Sequence, residues 1–120
     1  MNKPIHAKPL YYAIMFEPLK AIALKYGYNL VLHGSLNRDM DLIAIPWSEE
    51  LGSVEKMISE FCEYVGGSLN EDVNRDAPHG RKWYVIDIYR GGYLSKRGFA
   101  KEVYYDDPQT YLDISVTPIV

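Results

Sequence analysis

Two aspartates, Asp39 and Asp41, open the apolar run DLIAIPW, and Gly34-Ser35 closes the apolar run VLH just before them. On an extended strand, residues two apart face the same side, so the two carboxylates project together, about 6.6 to 6.8 Å apart along the chain. Carboxylates held close repel: at an effective dielectric near 20, two unit charges 4 Å apart cost about 4 kcal/mol. Burial raises that cost unless a cation or a proton intervenes. Hard divalent cations such as Mg²⁺ prefer oxygen ligands and often bind through one or two carboxylates plus substrate phosphates. The chemistry this pattern supports is metal-assisted handling of phosphate.

The neighbours suit that chemistry. Gly34 permits close backbone approach and unusual dihedrals, and backbone N–H groups in such a turn can cradle a phosphate. Ser35 adds a hydroxyl donor, and Arg38 adds a positive charge beside the acids. A plainer reading is turn chemistry, with the Asp side chains bonding nearby backbone and Arg38 pairing with Asp41. A third acid shifts the balance. Asp113 lies in YLDISV, inside an apolar run. Aspartate is depleted in strands, and an unpaired buried carboxylate is costly. On a neighbouring strand Asp113 would complete a metal site with Asp39 and Asp41, and two-metal sites stabilise both the attacking and the leaving oxygen of a phosphoryl-type displacement. Asp87, in YVIDIY, is the rival for this place, and for either acid the alternative is a salt bridge on a solvated face.

In PHGRKW, residues 78–83, the side chains of His79, Arg81 and Lys82 are candidates to reach phosphates, Arg being suited to bidentate contact; the alternative is a solvated turn. His33 is either a ligand contact or a half-buried strand residue. No spacing among His6, His33, His79 and Cys62 matches a zinc site. Lys96, Arg97 and Lys101 interleave with Tyr93, Phe99, Tyr104 and Tyr105, a pattern that can bind single strands; the patch is small and reads better as a hairpin tip. Eleven tyrosines suggest a partner surface, since Tyr is enriched at interfaces.

The elements that must position these residues follow from periodicity. Tyr12, Met15, Leu19, Ile22 and Tyr26 recur at steps of three and four, which predicts a helix over 10–26, with Gly27 just past its end. Pro18 should kink it or mark the start of a second helix. Strands are predicted at 29–33 and 39–46, antiparallel because the link is short. LIAIPW reads as a central strand covered on both faces and ended by Pro46. A second helix spans 53–65, with Ser53 as N-cap and Gly66 as the stop. Residues 66–81 read as a long irregular loop, a kind often functional. Residues 82–90 and 110–117 read as strands, with a hairpin between them and a possible short strand at 99–105. The expected fold class is α+β: one domain over 1–120, with a mostly antiparallel, mixed sheet and helices packed on it.

The Gly34-Ser35 turn, the Asp39-x-Asp41 pair and Asp113 resemble the nucleotidyltransferase superfamily of the DNA polymerase beta type. More closely, HGSLNRDMDLIAIPW, PHGRKW and YLDISVTP together resemble a family of small, uncharacterised phage and prophage proteins. The superfamily resemblance implies Mg²⁺ (or Mn²⁺), a nucleoside triphosphate as substrate and transfer of a nucleotidyl group to an acceptor. It implies that the Gly-Ser turn holds the β- and γ-phosphates, that Asp39 and Asp41 hold the metals and that Asp113 helps activate the acceptor hydroxyl. The gap between Gly-Ser and the first Asp is shorter here than in most members, and seven residues follow Asp113. Both departures keep a second reading open: a catalytically inactive module on the same fold that binds a nucleotide or a host protein, as a phage counter-defence or regulatory protein.

The composition bounds these readings. The net charge of −3 predicts neither a polyanion-binding surface nor an acidic tail. A single cysteine, Cys62, excludes an intramolecular disulfide and suits a buried thiol in a reducing compartment. Lys3, Lys8 and LYYAIMF resemble a short signal peptide, but Glu17, Pro18 and Lys20 interrupt the pattern, and the run is too short to span a bilayer. A cytoplasmic protein is expected, in the host cytoplasm if phage-encoded, without a membrane partner.

Overall fold

The computed structural model describes residues 7–34, 39–71, 75–88 and 110–118. Helix α1 spans Ala7–Lys25. It buries Tyr12, Met15, Leu19 and Ala23 completely, a stripe of steps three and four. Ile22 and Tyr26, expected in that stripe, are only half-buried, because Ala23 continues the 3.6-residue period more closely than Ile22. The helix runs through Pro18 as one element, so no second helix begins there. Proline leaves the carbonyl four residues back without its usual N–H partner. That residue is Ile14, which is 56% exposed, so water is at hand.

Strand β1 (Tyr28–His33) and strand β2 (Asp39–Pro46) follow, then helix α2 (Val54–Val65). The Ser53 hydroxyl accepts from the Lys56 N–H at 3.2 Å, and Gly66 stops the helix at φ 68°, as its sequence predicts. Strand β3 (Gly67–Leu69), a short 3-10 turn (Pro78–Gly80), strand β4 (Lys82–Ile88) and strand β5 (Thr110–Val116) complete the order. Residues 66–81 are therefore not one irregular loop: β3 pairs with β4, and Asp76 bridges to Lys82. Three residues are too few for a visible alternation. What they need is Gly67, where a Cβ would lie 2.6 Å from the Asp87 carbonyl oxygen. The hairpin expected after residue 88 and the strand expected at 99–105 lie outside the described residues.

The sheet order is β1-β2-β5-β4-β3. Three of its four pairings are antiparallel and β2–β5 is parallel, so the fold is α+β with a mixed, mostly antiparallel sheet. One core joins Leu30, Met40, Leu42, Ala44, Tyr84, Ile86, Leu112 and Ile114 to Met57, Phe61 and Val65 of α2 and the buried stripe of α1. Both helices thus cover the same face of the sheet. The expectation that β2 is covered on both faces is corrected here. Its position is central, but its burial alternates, and Asp39, Asp41, Ile43 and Ile45 are only half-buried on the far face. Among the described residues, no helix is long and apolar enough to cross a membrane.

Candidate metal centre

Strand alternation decides where the acids go. Met40 and Leu42 of β2, and Leu112 and Ile114 of β5, point into the core, so Asp39, Asp41 and Asp113 must point to the other face. The parallel register of β2 and β5 sets Asp41 directly beside Asp113, with Asp39 beside Tyr111. The Tyr12 hydroxyl accepts from the Tyr111 N–H at 3.2 Å, tying the start of β5 to α1. The outcome is a cluster in which one ligand oxygen from each of Asp39, Asp41 and Asp113 lies within 4.8 Å of the others.

The electrostatics follow from that spacing. Burial raises the Asp41 carboxyl above the ordinary carboxylate range, and the charges of Asp113 and Asp39 raise it further. His33, its partner across the β1–β2 ladder, pulls the other way. Gly34 lies against the same carboxylate: a Cβ there would be 2.8 Å from Asp41 Oδ2, and its φ is +90°. Close approach at Gly34 was expected, and the group that approaches is Asp41 itself. Ser35 and Arg38 lie outside the described residues.

The cluster opens onto a cleft of about 340 Å³ whose walls include His33, Asp41, Arg81, Trp83, Asp113 and Ser115. Arg81 Nε donates to the Pro78 carbonyl at 3.0 Å and Nη1 to Ser115 Oγ at 2.9 Å. Two neutral oxygens therefore orient this guanidinium, and among the described residues it forms no ion pair. His79 is exposed and does not line the cleft. Its φ is 66°, a left-handed conformation that costs a non-glycine residue about 1–2 kcal/mol. Lys82 turns to Asp76, 2.6 Å away. Asp87 shares the open face, but register sets it beside Tyr111 and Ser68 rather than beside Asp41, and it is not in the cluster. Its Oδ1 is buried without a hydrogen bond. Burial raises its carboxyl, and a bond from Asn70 partly offsets that.

Sequence reasoning missed two cleft residues, Trp83 and Ser115. The indole Nε1 of Trp83 donates to Asp113 Oδ1. The signal was present: Arg81 and Trp83, like Asp113 and Ser115, are two apart, and a strand sends such pairs to one face. The basic and aromatic patch around Lys96, Arg97 and Lys101 lies outside the described residues. A second, smaller cavity of about 200 Å³ lies between α2 and β4, lined by Cys62, Arg75 and Tyr84 among others. Cys62 is half-buried rather than fully buried, and burial pushes its thiol up to about 11. In comparisons with family models, curated proteins and solved structures, the chain matches none.

Proposed function

We propose that this chain binds a nucleoside triphosphate with Mg²⁺ or Mn²⁺ and transfers the nucleoside monophosphate to an acceptor hydroxyl, as a minimal nucleotidyltransferase-type domain. The observation that carries the reading is a cluster of three carboxylates within 4.8 Å of one another, two of which, Asp41 and Asp113, line a cleft with an arginine that pairs with none of them. The donor set fits the cation, because hard oxygen ligands are what Mg²⁺ and Mn²⁺ select. When bound, the metal neutralises phosphate charge and favours ionisation of the attacking hydroxyl.

The chain's own residues divide the remaining work. Asp39, Asp41 and Asp113 hold the cation, and Arg81 binds phosphate oxygens through N–H groups that its two neutral acceptors leave free. Asp113, beside the cation, takes the proton of the acceptor hydroxyl. The hydroxyl oxygen bonds to the α-phosphorus, the bond from that phosphorus to the oxygen bridging to the β-phosphate breaks, and pyrophosphate leaves with the electron pair. The acceptor is a protein or another hydroxyl-bearing partner in the cytoplasm.

A second reading, binding without turnover, draws on the bond from Trp83 to Asp113. That bond occupies an oxygen of the carboxylate that turnover would use as its base. One experiment separates the two: incubation with Mg²⁺ and nucleotide labelled at either the α- or the γ-phosphate. Transfer requires covalent label from the α-position only, lost in Asp39→Asn. Saturable binding of both nucleotides with no covalent label leaves the binding module. No binding of metal or nucleotide removes both.

A further inference from the structure

We propose that Trp83 is the positioning residue of the cation site, acting through Asp113; this rests on the metal-binding reading of the carboxylate cluster. Trp83 pairs in register with Ser115, while Asp113 faces Val85. The indole therefore reaches diagonally along the open face to deliver Nε1–H to Asp113 Oδ1. An indole is a donor only, and a neutral one. It orients the carboxylate without cancelling its charge, which a lysine or arginine in the same place would do. Oδ1 of Asp113 accepts from Trp83, and the same carboxylate contributes an oxygen to the cluster with Asp39 and Asp41.

The position of the ring fits this role better than a packing role. Trp83 is 36% exposed and lies on the face away from the core, so the surface it covers belongs to the cleft side of the sheet and not to the core. Arg81 is held in the same manner two residues earlier, through Ser115. The start of β4 and the residue before it thus bond to two cleft residues of β5, Trp83 to Asp113 and Arg81 to Ser115. Groups that hold a ligating side chain from behind usually matter by 10–100-fold in metal affinity.

The test uses the full chain and Mn²⁺ alone, with free Mn²⁺ counted by electron paramagnetic resonance. Trp83→Phe keeps the ring and removes the N–H, and should weaken Mn²⁺ binding about tenfold or more. In an Asp113→Ala background, which removes the acceptor, the same substitution should change affinity less than twofold, because a residue acting through another couples to it. A Trp83→Phe affinity equal to wild type overturns the proposal while leaving the metal site intact. An undiminished tenfold loss in the Asp113→Ala background also overturns it, since Trp83 would then act without Asp113. Absence of Mn²⁺ binding in wild type defeats this proposal together with the reading beneath it. If Trp83→Phe does not fold, Trp47→Phe serves instead. Trp47 is 69% exposed, and its removal leaves Trp83 as the single indole, the chain having two tryptophans. Its N–H resonance should shift on Mg²⁺ addition, and a resonance unmoved at saturating Mg²⁺ overturns the proposal.

Discussion

Replacing Asp41 with asparagine should stabilise this protein in the absence of metal and abolish its response to metal. The oxygens of Asp39, Asp41 and Asp113 lie within 4.8 Å of one another. Two unit charges at that separation repel by about 3.5 kcal/mol at an effective dielectric of 20 and about 0.9 kcal/mol in bulk water. All three residues are half-buried, so a net relief of about 1–2 kcal/mol is expected after solvent screening. In a domain this size that raises the midpoint by roughly 4–8 °C. Saturating Mg²⁺ or Mn²⁺ should reverse the order: wild type gains about 2.7 kcal/mol at a hundredfold its Kd, and Asp41→Asn gains little. The assay is thermal unfolding of both proteins in EDTA and across a metal titration. A variant less stable than wild type in EDTA, with both proteins gaining equally from metal, would refute the reasoning. The acids would then be ordinary surface groups.

Gly34→Ala places a Cβ 2.8 Å from Asp41 Oδ2 at a φ of +90°. It should cost about 1–2 kcal/mol in backbone strain and weaken Mn²⁺ binding by displacing that carboxylate; unchanged stability and affinity would contradict the close approach. Asp87 is held above the ordinary carboxylate range by burial. Stability from its protonated form is complete below the unfolded pKa and is lost as pH rises through the folded one. Asp87→Asn should therefore melt at or above wild type at pH 7, with its relative advantage shrinking toward pH 4, and an advantage that grows on acidification would contradict this. The Cys62 thiol, held up to about 11, should alkylate at pH 8 about tenfold more slowly than in urea, the deficit in thiolate being partly offset by its greater nucleophilicity. Equal rates in the two states would refute the burial assigned to it.

Local features account for what was readable before the fold was known. Ser53 and Gly66 bracket α2 because a hydroxyl cap and a left-handed stop act within one turn of the chain. The run from Asp39 to Pro46 is a strand because its composition suits one and proline ends it. Where the reading failed, the missing information was nonlocal. β3 is three residues long and exists through its pairing with β4. β2 was expected to be covered on both faces, but an apolar sequence cannot report that both helices lie on one side of the sheet.

The same division runs through the candidate site. The sequence alone determined that Asp39 and Asp41 share a face, since the period of a strand is a property of the backbone. It favoured Asp113 but kept Asp87 as a rival, because each is an aspartate inside a β-branched run. Only the tertiary structure separated them. The parallel register of β2 and β5 sets Asp113 beside Asp41, whereas antiparallel pairing sets Asp87 beside Tyr111. The roles of Trp83 and Gly34 were also decided there, because each depends on a side chain from another strand. Register is fixed by which apolar residues must enter the common core, and a slip of one residue would send every acid to the opposite face.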